Sequence, residues 1–122
     1  MGAIPTFGGA VLDCPDPVAL AGFYRSLLDW DEPEISDGGR WVSLTPPGGG
    51  TRLDFQRVDD YRAPEWPSAE KPQQAHLDLD VTDLEAGHLR ALELGAKLLD
   101  DAPKTFRVYA DPAGHPFCLC AC

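Results

Sequence analysis

The sequence predicts an α+β fold of two tandem βαβββ modules, forming a curved, partly open mixed sheet around a cavity. Three observations predict it. The chain repeats itself internally, each half opens with a strand ending on an Asp able to cap a helix, and each half continues in short strand-like segments. In the repeat, Gly9–Asp16 lies against His76–Asp83, Phe23–Asp29 against Leu89–Gly95, and Leu53–Gln56 against Phe117–Cys120. One such unit has a single apolar sheet face and cannot close a core alone, so two must pair.

The elements follow in order. Asp16 followed by Pro17 reads as an N-cap with proline at the first helical position, where its missing N–H costs nothing. Leu20, Phe23, Leu27 and Leu28 then form an apolar stripe at helical spacing, which predicts a helix from about Pro17 to Leu28. Asp29 holds the left-handed cap position, and Phe23 is expected to pack against Leu12 and Phe55. Arg40–Thr45 alternates as a strand, Pro46–Gly50 reads as a turn, and Thr51–Val58 returns as the next strand. Asp59 to Gln74, rich in proline and charge, reads as a linker. The second helix begins after Asp83, carries Leu84, Ala91, Leu92 and Leu94, and stops at Gly95. Phe106–Ala110 and Pro116–Ala121 form a hairpin around Asp111–Gly114. These limits predict a single domain over 1–122, with module 1 at about 4–60, a linker at about 61–73 and module 2 at about 74–122.

Composition narrows the function. With 122 residues, 43% hydrophobic and 25% charged, the chain suits one folded domain rather than a disordered segment. A net charge of −10 disfavours nucleic acid or an anionic membrane as partner. No apolar run approaches a bilayer span, and the N-terminus lacks the pattern of a secretory signal, so a cytoplasmic location is expected. Thr6 after Gly2 makes only a short myristoylation match. Cys118, Cys120 and Cys122 recur at a spacing of two, which puts them on one strand face; structural zinc motifs use wider spacing, so reduced cysteines are expected.

Leu12–Pro17, Phe23-Tyr24, Leu28 and Trp30 resemble the opening of glyoxalase-like domains of the vicinal oxygen chelate superfamily. His76–Val81 is similar to the start of that family's second module, and Asp111–Phe117 to its closing turn and strand. Phe55–Val58 and Trp66-Pro67 are similar to segments of small bacterial members of unassigned substrate. The resemblance implies a ligand cavity, frequent dimers, and chemistries from metal-dependent isomerases and dioxygenases to metal-free drug binders, so the site must decide.

Strand parity selects the candidate site. If Leu77, Leu79 and Val81 pack on the helix, His76, Asp78 and Asp80 face the groove. By the same alternation Asp54, Gln56, Cys118 and Cys120 face it, joined by Trp41 and Ser43. Trp66 and Tyr109 are further candidates for the pocket wall. His88 and His115 receive no role. The resemblance implies metal-ligand positions at Gly9, Asp54, His76 and Cys118. Gly9 offers no donor, Asp54 is shorter than the usual Glu, and Cys118 is a soft donor.

The leading expectation is therefore a small-molecule-binding protein of unassigned substrate, with no cofactor, a homodimer, and His76 and Asp54 as acid–base groups if it is catalytic. Its acidic groove would favour cationic or polyhydroxylated ligands over phosphates. One alternative is a metal-dependent lyase, isomerase or dioxygenase-type enzyme holding a divalent metal through Asp54, His76 and Cys118. Another is a non-catalytic, drug-sequestering dimer of the bleomycin-resistance kind.

Overall fold

The computed structural model describes residues 2–4, 6–67 and 70–121. Cys122, grouped above with the closing strand, lies outside the described residues. The chain forms two compact units, Met1–Tyr61 and Arg62–Cys122. The first contains β1 (Gly9–Cys14), α1 (Pro17–Leu28), β2 (Glu34–Ser36), a 3-10 turn (Asp37–Gly39), β3 (Trp41–Leu44) and β4 (Arg52–Arg57). The second contains β5 (Leu77–Asp80), α2 (Leu84–Leu94), β6 (Lys97–Asp100), β7 (Phe106–Ala110) and β8 (Pro116–Cys120).

Each unit is one βαβββ module with its own open, four-stranded mixed sheet. The strand orders are β1-β4-β3-β2 and β5-β8-β7-β6. In both, the first strand pairs parallel with the last and the other pairs are antiparallel. Hydrogen bonding thus resolves the anticipated curved sheet into two sheets of identical topology. The registers carry the repeat further than sequence identity does. Asp54 pairs with Val11, and Cys118 pairs with Asp78. Stepping back two residues from Val11 and Asp78 makes Gly9 the counterpart of His76, as the repeat implied.

In the first unit, the Asp16 carboxylate accepts the Ala19 amide, Pro17 opens the helix, and Asp29 closes it at φ 57°. The buried face of α1 is Leu20, Ala21, Phe23 and Tyr24, and the sheet offers Val42, Leu44, Leu53 and Phe55. Fully burying an aromatic or large aliphatic side chain stabilises by roughly 1.5–3 kcal/mol, so burial of these side chains drives the helix onto the sheet. Phe23 is buried as expected, with its ring edge-on to Tyr24 at 4.9 Å. The ring stacked on Phe55, at 5.8 Å, is that of Tyr24. The sequence reading passed over Tyr24 because tyrosine is ambiguous between core and surface.

In the second unit, Asp83 caps α2 through the Ala86 amide, and Gly95 ends it at φ 112°. The inward face is set by Leu84, Gly87, His88 and Ala91 at i, i+3, i+4, i+7. Leu92, named above among the residues this helix carries, is 38% exposed, because it is rotated one position off that face. Gly87 lets the helix sit close to the sheet: a Cβ there would come within 3.1 Å of Val81 and 3.4 Å of Leu119. Tyr109 stacks on Phe117 at 5.4 Å, and its hydroxyl lies 2.7 Å from His88 Nδ1.

The closing hairpin explains its own sequence. Asp111 is buried, and its Oδ1 accepts the amides of Ala113 and His115, at 2.9 and 3.0 Å. Gly114 sits at φ 92°, where a Cβ would also come 2.7 Å from Ala63. The segment read as a linker is thus packed into the second unit, with Ala63 on this turn and the Glu65 amide donating to the Lys71 carbonyl at 2.6 Å.

Candidate functional site

The sheet of the second unit has two distinct faces. Pairing of Leu77 with Phe117 and Tyr109, and of Leu79 with Leu119, defines the face under α2. The intervening residues form rows across the other face: Asp78, Cys118 and Val108 in one, Asp80, Cys120 and Phe106 in the next. His76, two residues before Asp78, extends this face beyond the end of β5.

A cleft of about 170 Å³ lies against this face. Trp66, Phe106, Val108 and Pro116 supply its apolar lining, and Gln73, His76 and Cys118 its polar groups. Gln73 Oε1 is shut off from solvent and has no hydrogen-bond partner among the described residues. An unmet buried acceptor costs about 1–3 kcal/mol.

At one corner His76 Nε2 is 3.2 Å from Asp78 Oδ1. One ligand atom each from His76, Asp78 and Cys118 falls within 4.8 Å of the others. Burial pushes the Cys118 thiol above its ordinary value, and the neighbouring Asp78 carboxylate pushes it the same way. Both effects penalise the thiolate, so near neutral pH Cys118 is a thiol. A metal would have to displace that proton to use the sulfur.

The first unit has its own row of polar groups facing away from α1. Asp54 is 1% exposed, its Oδ2 accepting from Arg52 Nε at 3.3 Å. Its Oδ1 is buried with no hydrogen-bond partner among the described residues. Ser43 stands opposite Asp54, and half-buried Trp41 opposite exposed Gln56. By register Trp41 holds in the first sheet the place that Phe106 holds in the second.

Of the residues singled out by sequence, the cleft brings together Trp66, His76 and Cys118, with Asp78 beside them. Trp41, Asp54 and Gln56 belong to the first unit. Tyr109 is corrected: it pairs with Phe117, faces α2 and is fully buried, so it is core rather than pocket wall. The sequence reading missed Gln73, Phe106, Val108 and Pro116. Alternation along β7 carried the signal for Phe106 and Val108, since they share a face with Cys120 and Cys118. No local pattern marks Gln73.

Gly9 bears on the metal that the family resemblance implies. A Cβ at this position would come within 2.8 Å of the Arg52 carbonyl oxygen. The first ligand position therefore has neither a donor nor room for one, and the four-donor set does not fit this chain. What remains is a mixed nitrogen, oxygen and sulfur set on the second sheet, with Asp78 where the sequence reading had put Asp54.

Two βαβββ units with these registers define the architecture of the vicinal oxygen chelate superfamily. Residues 9–120 match the family model described as glyoxalase-like domain, and the chain belongs to that family. No curated protein matches it in sequence. Among solved structures it is similar to a glyoxalase/bleomycin resistance protein/dioxygenase family enzyme from Burkholderia phytofirmans, at TM-score 0.73 and 16% identity, covering 94% of this chain and 97% of that one. A glyoxalase/dioxygenase from Nostoc punctiforme gives 0.69 and 20% identity, covering 97% and 91%. A mutant of the fosfomycin resistance protein FosX from Listeria monocytogenes, complexed with Mn(II) and 1S,2S-dihydroxypropylphosphonic acid, gives 0.70 and 15% identity, covering 97% and 90%. At such identities the likeness concerns the fold.

Proposed function

We propose that this protein binds a small organic molecule in the cleft of its second unit, without a family-type metal centre. The observation that carries the reading is an apolar cleft on the free sheet face, walled by Trp66, Phe106, Val108 and Pro116, with Gln73, His76 and Cys118 as its polar groups. Ligand sites are concave, mostly apolar, and oriented by a few such polar groups. If the bound molecule reacts, His76 is the acid–base group nearest the cleft, its ring oriented by Asp78. Asp54, buried and with no hydrogen-bond partner for Oδ1 among the described residues, is the corresponding candidate of the first unit. Homodimerisation, as in a drug-sequestering member of the family, and a cytoplasmic location belong to the same proposal. No helix among the described residues is long and apolar enough to cross a membrane.

The test is a thermal-shift screen of ring-sized compounds on the wild type, Trp66→Ala and His76→Ala. A ligand at 100 times its Kd stabilises the fold by about 2.7 kcal/mol. The expected outcome is a hit whose shift falls in both variants. Hits that shift all three proteins equally would place binding elsewhere.

A second reading rests on the convergence of His76, Asp78 and Cys118. This donor set suits a borderline-soft divalent ion such as zinc better than a hard one. Calorimetric titration with zinc distinguishes it: one equivalent bound, with proton release, and lost in both Cys118→Ser and His76→Ala, would favour the metal-dependent lyase or isomerase alternative.

A further inference from the structure

We infer that Cys118 and Cys120 form a two-thiolate site for a soft, linearly coordinated cation of the copper(I) or silver(I) kind. This goes beyond the organic ligand proposed for the cleft and beyond the single-thiol zinc set, because it enlists a second cysteine. The observation behind it is a register. Cys118 stands opposite Val108 and Cys120 opposite Phe106, so both side chains leave β8 on the face away from α2. Across the parallel pair, Asp78 stands beside Cys118 and Asp80 beside Cys120. Two thiols and two carboxylates thus occupy adjacent rows of one sheet face. Neither cysteine is in a disulfide. Cys118 lines the cleft and Cys120 is half-buried, so an ion reaches the pair from the cleft side.

Spacing selects the ion. Neighbours on one face of a strand are two residues apart, about 6.5–7 Å along the chain. A disulfide needs β-carbons about 3.5–4.5 Å apart, so an extended strand keeps these two sulfurs as thiols. A bridging ion closes part of that gap when the sulfurs lean toward each other along the strand. With metal–sulfur bonds of about 2.3 Å, a linear ion spans roughly 4.6 Å between sulfurs, whereas tetrahedral zinc needs roughly 3.8 Å. The in-line geometry therefore demands less of the strand.

Donor chemistry and charge point the same way. Thiolates favour soft ions, and carboxylates favour hard ones. Asp78 and Asp80, both exposed, raise the local concentration of cations without competing for a soft one. On binding, two metal–sulfur bonds form and two thiol protons leave to solvent, with no change of oxidation state. A single-thiol set would release only one thiol proton.

Silver(I) is the probe, titrated into the full chain in a chloride-free buffer and followed by native mass spectrometry. Maleimide labelling with peptide mapping then shows which thiols the ion shields. The expected result is one silver per chain, release of two protons, and shielding of both Cys118 and Cys120 while Cys122 still labels. X-ray absorption should find two sulfur neighbours around the silver. Cys120→Ser should weaken silver binding at least 100-fold, whereas Cys122→Ser should leave it unchanged. Shielding is read on the wild type, so the result stands even where a cysteine variant fails to fold. Silver that shields Cys118 alone, or Cys120 together with Cys122, would overturn the two-thiolate pair. So would unchanged affinity in Cys120→Ser. Zinc that binds as tightly as silver and shields both cysteines would overturn the linear geometry.

Discussion

Cys118 illustrates how one residue changes meaning with its surroundings. As the last of the family's ligand positions it reads as a soft metal donor, yet burial and Asp78 both hold its proton in place. The sign is testable. Removing the Asp78 charge removes one of the two causes, so Asp78→Asn should lower the thiol's titration midpoint toward the ordinary value. Alkylation of Cys118, followed by peptide mass spectrometry across pH 7–10, should be faster in Asp78→Asn at every pH below the wild-type midpoint. An unchanged or slower rate would mean that the carboxylate does not act on the sulfur. Cys14 is an internal reference, since it is buried against β4 with its thiol donating to the Gln56 carbonyl at 3.7 Å. At this scale the sequence was a good guide wherever chemistry is carried by one side chain. His76 and Cys118 were picked out by residue type and strand parity and Trp66 by its type in the Pro-rich segment, and all three line the cleft, whereas no pattern picked out Gln73.

Among elements, the helices were legible to the residue and the edge strands were not. Asp16-Pro17 and Asp83 mark helix starts, and Asp29 and Gly95 mark helix ends, through local hydrogen bonding that any context preserves. β2 is three exposed residues, and β6 has an irregular register between Leu98 and Asp100. Neither shows the alternation that marks a half-buried strand, so each exists only through the hydrogen bonds of its neighbour. The parallel pair of β1 and β4 adds a constraint invisible in sequence: Gly9 faces the Arg52 carbonyl too closely for any side chain. Gly9→Ala should therefore destabilise the chain by about 1–3 kcal/mol, the usual range for overpacking, as measured by urea denaturation. A change below about 0.5 kcal/mol would show that β1 can shift freely and that the glycine is incidental. It would also reopen the first ligand position to engineering.

For the whole molecule, the two buried groups with raised pKa make a joint prediction about alkaline stability. Burial raises Tyr109 from its ordinary value of 10.0 and Cys118 from 9.0. The folded chain holds both protons more tightly than the unfolded chain does, so their contribution is complete below about pH 9. It is lost as pH rises through the unfolded values toward the folded ones. Urea denaturation at pH 7, 9 and 10.5 should show a constant midpoint, then a fall. Tyr109→Phe, which keeps the stacking on Phe117, should flatten the upper part of that fall. A midpoint as high at pH 10.5 as at pH 7 would contradict it.

The sequence by itself determined the βαβββ repeat, the caps and the family, because these rest on period, local hydrogen bonding and residue identity, all written in linear order. It also determined that Gly9 carries no donor group and that His76 carries one. Only the tertiary structure decided which face Tyr109 takes, since pairing across the Asp111–His115 turn sets it opposite Phe117 rather than Cys118. It also decided that Asp78 joins His76 and Cys118, and that Gln73 Oε1 is shut off from solvent with no hydrogen-bond partner among the described residues. Those facts depend on strand register and on the fold of residues 62–76 against the sheet. Register and loop packing are settled by non-local contacts, for which a single sequence carries no periodic signal.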